Sequence, residues 1–400
     1  LTLATSICRT LYDAGFTAYF AGGWVRDHLL GVDCDDIDIA TSAPPDTICS
    51  LFEKTISVGA QFGVIVVILE GHQFEVSTFR KDHPYHDGRH PDGVDFSTPQ
   101  KDAQRRDFTI NGLFFDPMTE TIFDYVEGRQ DLKAKIIRTI GDANLRFSED
   151  RLRMIRAVRF SLSLNFEIEQ ATKEAILANS GTLLPAVSME RIWQEFNKMV
   201  VTSRFKEGLL TLHALGLLPT IFPELKNETE ESLTKRVEPF AYFPLKTPTI
   251  CYLLQLFPKY SLEQTISLCR YLKTSAKEIK LCTFFYEAHL LFLKKEATDY
   301  DWAHFYAHPD SALFLQIYAA NQAPNERTEL LDTHLNKEEK LSKHIARIQT
   351  KKPLVASSDL KKAGVQEGKR MGELLVEAEK LAINNNLHTK QQVLNLLIVV

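Results

Sequence analysis

The sequence predicts an α+β protein, with a small N-terminal mixed sheet and its helices followed by a remainder that is helical throughout. Three observations carry that prediction. Short β-branched or alternating runs, bounded by turn residues, fill residues 17–140, as half-buried strands with tight connections would. From about Asp142 onward, apolar residues recur with a helical period and β-branched runs become scarce. Pro219, Pro223, Pro244, Pro248 and Pro353 punctuate that second stretch between its helical segments. Strands segregated before helices is the α+β arrangement.

The elements follow in order. Thr17–Ala21 reads as a strand running into Gly22-Gly23, and Asp36–Ala40 as a short alternating strand. Val64–Leu69 is continuously apolar and β-branched, which predicts a central buried strand, while Gln73–Phe79 alternates. Phe114-Phe115 and Ile122–Asp124 bracket Asp116-Pro117 and predict a hairpin. The clearest helices are expected over Arg151–Leu164, Glu190–Val200, Arg204–Leu215, Leu262–Tyr271 and Met371–Leu381. Internal repeats and low-complexity tracts are absent from the sequence. These elements divide into a head (1–141), a helical neck (142–225) and a helical body and tail (226–400).

Composition narrows the function classes. With 400 residues, 44% hydrophobic and 25% charged, the chain can bury the cores of two to four domains of ordinary size. A net charge of −5 argues against a uniformly basic nucleic-acid coat, but leaves room for local basic patches. The six cysteines are scattered, with no C-x-x-C pair and no zinc spacing, which predicts reduced thiols in a cytoplasmic protein. No run approaches the ~18–20 apolar residues of a membrane span, and Leu1–Cys8 lacks the basic start of a secretory signal.

Two features bear chemistry. Gly22–Asp27 (Gly-Gly-Trp-Val-Arg-Asp) follows a strand and opens a helix; such glycines let backbone N–H groups approach a phosphate, although a strand-to-helix turn has the same need. Asp36-Ile37-Asp38 places two carboxylates on one face of a strand. Like charges so placed repel unless a cation separates them, and hard divalent metals take oxygen ligands; a solvated edge strand is the other reading. Glu75, on an alternating strand opposite in facing to Phe74 and Val76, is the third carboxylate expected to join them. Two metals bridged by such a trio stabilise the attacking and leaving oxygens of in-line phosphoryl transfer.

Five motifs occur in order: Gly22–Asp27, Asp36–Thr41, Arg105–Asn111 (Arg-Arg-Asp-Phe-Thr-Ile-Asn), Phe147–Phe160, and Glu190-Arg191-Ile192 with Glu195. Together they resemble the class II CCA-adding tRNA nucleotidyltransferase and bacterial poly(A) polymerase family, of the polymerase-β nucleotidyltransferase superfamily. The resemblance implies a catalytic head with metal ligands at Asp36 and Asp38, two Mg2+ ions, and helical neck, body and tail domains. One departure is Asp35, where many relatives carry a basic or small residue. Gly22, Gly23, Arg26, Arg106, Asp107, Asn111, Glu149, Asp150, Arg153, Arg156 and Arg159 are the expected nucleotide-binding residues. Asn111, four residues after Asp107, is expected one helical turn on.

Asp150 and Arg153 are spaced i, i+3 and are expected to face the same way on a helix. An Asp accepts from the exocyclic amino group that C and A share. An Arg donates to the unprotonated ring nitrogen beside it. U and G reverse both characters, so the pair would serve as a protein template for C and A. The polar segment Arg80–Phe96 has the composition of a mobile loop; the resemblance implies that its Asp87–Pro91 stretch permits A addition.

RNA contacts are expected at two places. Arg146–Arg159 holds five arginines, and Lys337–Arg370 holds ten Lys and Arg against four acids. Gly364, Gly368 and Gly372 at i+4 spacing resemble the tail of tRNA-adding members. The expected partners are the tRNA 3′ end, CTP and ATP, with no membrane and no obligate protein partner. The competing readings are an enzyme adding only A, a poly(A) polymerase, and a non-catalytic RNA-binding scaffold.

Overall fold

A computed structural model describes residues 1–83 and 92–397; the Asp87–Pro91 stretch lies outside the described residues. The chain forms two compact units, 1–234 and 235–400.

The first unit is built on a seven-stranded sheet. Its strands are β1 (Ala18–Ala21), β2 (Asp38–Thr41), β3 (Thr55–Gly59), β4 (Val64–Leu69), β5 (His72–Thr78), β8 (Leu113–Asp116) and β9 (Thr121–Asp124), while β6 (Arg80–Asp82) and β7 (Val94–Phe96) pair separately. The order is β3-β4-β5-β2-β1-β8-β9. Every neighbouring pair is antiparallel except β2 and β5. Val64–Leu69 therefore lies one place from the edge and not at the centre, burying only Ile65 and Val67. Its continuous apolar run reports hydrophobicity on both faces, not position in the sheet. The hairpin at Asp116-Pro117 forms as expected, with the Asp116 carboxylate accepting from Met118 N at 2.8 Å.

Each sheet face is covered for a reason written in the side chains. Helix α1 (Thr2–Asp13) buries Ala4, Ile7, Cys8 and Leu11, one helical stripe, and packs on β1 and β2. Tyr19, Phe79, Phe114 and Phe123 cluster with Ala21, Ala40 and Ala103. Fully burying a Phe of this kind is worth about 1.5–3 kcal/mol. Ala103 belongs to the helix Pro99–Arg105, capped by the Thr98 hydroxyl.

The neck contains a break that the sequence reading missed. Helix Ala143–Glu149 ends at Asp150, whose backbone is extended at φ −142° and ψ 105°, and a new helix runs Leu152–Leu164. Met154, Ile155, Ala157 and Val158 of this second helix are fully buried, packed by helices Met189–Val200 and Phe205–Ala214.

The second unit is helical. One core gathers Trp302, Phe305, Tyr306, Phe314, Leu341 and Ile345; another gathers Leu360, Met371, Ala378, Ala382 and Val393. Helix Leu262–Tyr271 stands where expected, behind a Ser261/Gln264 capping box. Gly364, Gly368 and Gly372 do not share a helix face. Gly364 and Gly368 have φ of +89° and +148° and lie between helices Ser357–Lys362 and Lys369–Asn384; left-handed backbone there ends one helix before the next begins. Among the described residues, no helix is long and apolar enough to cross a membrane.

Candidate active site

The parallel pairing of β2 and β5 creates the acidic corner. Ile39 lies opposite Val76 and Ala40 opposite Ser77, so the same register carries Asp38 toward Glu75 on the face away from Ile39 and Val76. Asp36 precedes the strand, which begins at Asp38; it reaches the corner from the incoming loop and not as the second position of an alternating pair. The three carboxylates feel one another. Burial, then repulsion from Glu75 and Asp36, push the Asp38 carboxyl up to about 6, against the pull of Arg106. Asp38 keeps an exposed face, so the like charge of its two neighbours is the cause with the clearer geometric basis. Among the described residues no group of three or more acidic, His or Cys side chains converges closely enough to hold a metal ion. What the corner offers is a set of oxygen donors whose mutual repulsion a divalent cation would relieve.

Beside it lies a cleft of about 410 Å³ lined by Gly22, Gly23, Arg26, Asp38, Arg105, Arg106, Asp107, Asn111, Asp150, Arg153, Arg156 and Phe160. Gly22 has φ +66°, and a Cβ there would sit 3.0 Å from Arg106 Nη1, so glycine serves both the turn and the close approach. Arg106 and Arg105 are held from behind by Asp102, which is fully buried. Arg105 Nε donates to Asp102 Oδ1 at 2.9 Å, and Arg106 Nη2 to Oδ2 at 3.0 Å.

Asp107 and Asn111 are not one turn apart on a helix. The chain is extended at Arg106 and Phe108, then turns through a short 3-10 segment Thr109–Asn111. They meet directly: Asn111 Nδ2 donates to Asp107 Oδ1 at 3.0 Å, and Arg156 Nε to Oδ2 at 2.9 Å. Burial alone would raise the Asp107 carboxyl, but Arg156 and Asn111 hold it well below the usual carboxylate range. Arg26 donates to Asn111 Oδ1 at 2.7 Å and through Nε and Nη2 to Asp27. Arg26 and Arg156 both lie 5.2 Å from the centre of the Phe160 ring.

Asp150 and Arg153 do line one cleft, but Asp150 stands in the helix break and Arg153 in the first turn beyond it; the Arg153 N–H donates to the Asp150 carbonyl at 3.1 Å, while their side chains do not pair. Asp150 Oδ1 accepts from Leu152 N at 3.0 Å and Arg191 Nη1 at 3.2 Å; Oδ2 accepts from Arg191 Nη2 at 2.8 Å. Arg153 Nη1 donates to Arg146 O at 3.0 Å and Glu149 Oε2 at 2.6 Å, and Nη2 donates to Arg105 O at 3.2 Å.

Most of the expected nucleotide-binding residues thus gather at this cleft. Glu149 faces instead an adjoining cavity of about 640 Å³ with Lys81, Lys101, Arg105 and Arg146. Arg159 is turned away, paired to the buried Glu195 at 2.6 Å and stacked 3.9 Å from the Phe160 ring centre. Sequence reasoning passed over Asp102, Phe160 and the fork on Asp150. Asp102 had a usable signal, since it precedes Arg105 and Arg106 by three and four residues, the spacing of one helix face. Arg191 stands in the fifth sequence motif, but nothing local pairs it with Asp150, 41 residues away.

Three family descriptions match the chain in order: "Poly A polymerase head domain" over residues 18–138, "Probable RNA and SrmB- binding site of polymerase A" over 165–229, and "tRNA nucleotidyltransferase domain 2 putative" over 246–397. The CCA-adding enzyme of Ligilactobacillus salivarius is 35% identical over 98% of this chain and 94% of its own length. That of Geobacillus thermodenitrificans is 44% identical over 57% of this chain, a match spanning only 56% of that protein. The crystal structure of the Bacillus stearothermophilus CCA-adding enzyme in complex with CTP superposes with a TM-score of 0.81 at 30% identity, covering 99% of this chain and 96% of that one. A match at this identity over nearly the whole of both chains places the protein in the CCA-adding enzyme family.

Proposed function

We propose that this chain is a template-independent nucleotidyltransferase that adds C and A, from CTP and ATP with release of pyrophosphate, to the 3′ end of tRNA. The observation that carries the proposal is one cleft shared by Asp38, a wall of arginines and the Asp150/Arg153 pair. Asp36, Asp38 and Glu75 would hold two Mg2+ ions, which supply charge neutralisation for the attacking 3′-oxygen and the leaving pyrophosphate. Gly22, Gly23, Arg26, Arg106 and Arg156 line the wall where a triphosphate gains most from fixed positive charge. Asp107, pinned by Arg156 and Asn111, orients that wall and meets the ribose. Asp150 accepts from the exocyclic amino group and Arg153 donates to the ring nitrogen, so C and A fit where U and G meet two reversed contacts.

In this reading residues 1–141 carry catalysis, 142–225 select the nucleotide, and 226–400 bind tRNA in the cytoplasm, where the six free thiols persist. The test uses tRNAs ending before the first C, after one C and after two, each offered single labelled nucleotides. C joining the first two and A the third supports the proposal. Repeated A addition on every end, or A joining only the third, replaces it with poly(A) polymerase or A-only activity.

A further inference from the structure

The hydrogen bonds around Asp150 leave a countable remainder. Of the roughly four acceptor positions a carboxylate offers, Arg191 occupies two and Leu152 N a third. Arg153 uses both Nη1 protons and one on Nη2, which leaves Nε and one Nη2 proton of the guanidinium's five. Asp150 therefore keeps one acceptor position and Arg153 a narrow donor edge.

We infer that Arg191 is a specificity-determining positioning residue, whose fork fixes the plane of the Asp150 carboxylate so that a single acceptor site faces the incoming base. The inference rests on the proposed reading of Asp150 and Arg153 as the base-selecting pair. Its physical basis is the geometry of the fork. Asp150 caps one helix and leads into the next, its own backbone extended between them, so neither helix packs its side chain in place. Rotation about its side chain would swap the free acceptor for an edge already filled, or turn it out of the cleft. Two parallel N–H donors from one rigid guanidinium suppress that rotation, where a single ammonium would not. Arg191 is brought there by helix Met189–Val200, whose Ile192, Phe196 and Met199 are fully buried; the fork is anchored to the neck core. Arg191 does not line the cleft, so its effect on the base passes through Asp150.

The experiment measures kcat/KM for CTP and for UTP on a tRNA lacking its CCA end, in the full-length protein. Wild type, Asp150→Ala, Arg191→Met, Arg191→Lys and the double variant Asp150→Ala/Arg191→Met are compared. Loss of a hydrogen-bonded fork to a charged group should lower the CTP:UTP ratio about 10-fold or more in Arg191→Met. Arg191→Lys retains the charge and loses the fork, so its ratio should fall about threefold or more even where the Met variant is too unstable to assay. In the Asp150→Ala background, Arg191→Met should leave the ratio within about twofold, because the group it positions is gone. An unchanged ratio in both Arg191 variants overturns the inference. So does an equal drop with and without Asp150, which assigns Arg191 a general structural role. A wild-type protein that does not prefer CTP, or an Asp150→Ala variant as selective as wild type, fails the underlying reading instead.

Discussion

Replacing Asp102 by Asn tests whether one buried carboxylate organises the phosphate wall. Asp102 is fully buried and accepts from Arg105 Nε at 2.9 Å, Arg106 Nε at 3.1 Å, Arg106 Nη2 at 3.0 Å and Arg80 N at 3.3 Å. Asn keeps the shape but removes the charge and turns an NH2 toward a guanidinium. Breaking a buried ion pair from one side costs about 3–5 kcal/mol. At roughly 2–4 °C per kcal/mol for a unit of this size, the midpoint should fall by about 6–20 °C. The loss should also depend on pH. Burial alone would raise the Asp102 carboxyl, yet Arg106 and Arg105 hold it below its ordinary value. A depressed native pKa contributes stability that is complete above the unfolded value of about 3.9 and is lost as pH falls through the native one. The wild-type advantage should hold from neutral pH down to about 5 and shrink progressively below about 4. Urea-dependent hydrogen exchange of amides in β1 and β8 reads this unit separately from the second. A difference under about 1 kcal/mol at neutral pH, or one that persists undiminished in acid, refutes the reasoning.

Three further outcomes follow from the site. Asp36→Ala and Asp38→Ala should each lower nucleotide incorporation by about 10³-fold or more, with tRNA binding by filter assay largely intact; near-normal turnover in either would place the chemistry elsewhere. Arg153→Ala should cut C and A incorporation about 10–100-fold and bring U and G rates toward them; a fall in activity at constant CTP:UTP ratio would make Arg153 structural. Lys362→Gln with Lys369→Gln, both exposed in the second unit, should raise KM for tRNA and flatten its salt dependence by about one to two phosphate contacts, leaving KM for CTP unchanged; an unaltered salt slope would return these lysines to ordinary solvated surface.

Much of this was legible because it depends on local pattern. The strand ending at Ala21, the hairpin at Asp116-Pro117 and helix Leu262–Tyr271 are set by alternation, a turn signal and a capping box, all readable within a few residues. Asp38 and Glu75 could be picked out by their facing on a strand, although nothing in the sequence says that their strands pair side by side. The errors share a cause. Asp150 with Arg153, and Asp107 with Asn111, were each placed on a continuous helix because their spacing allowed it. In both cases the backbone opens at the functional Asp, and tertiary partners override helical propensity. Arg191 on Asp150, and Arg159 turned onto Glu195, are long-range choices among arginines that look alike in sequence. The polar composition of Arg80–Phe96 predicts a loop, yet its ends pair as β6 and β7.

The lone parallel pairing in the sheet sets what kinds of insertion and deletion this enzyme can survive. Between Thr41 and His72 the chain leaves β2, forms a helix and two strands, and returns as β5. Residues added to the exposed connections of that excursion alter its path but leave Ile39 opposite Val76. A single residue gained or lost inside β5 itself turns Glu75 to the buried face and brings Phe74 or Val76 to the acidic corner. Chain length in this region can drift among descendants of the sequence, while the count from Glu75 to the pairing at Val76 cannot. A functional member should therefore be recognisable by strand phase, even where the spacing between its second and third carboxylates has changed by many residues.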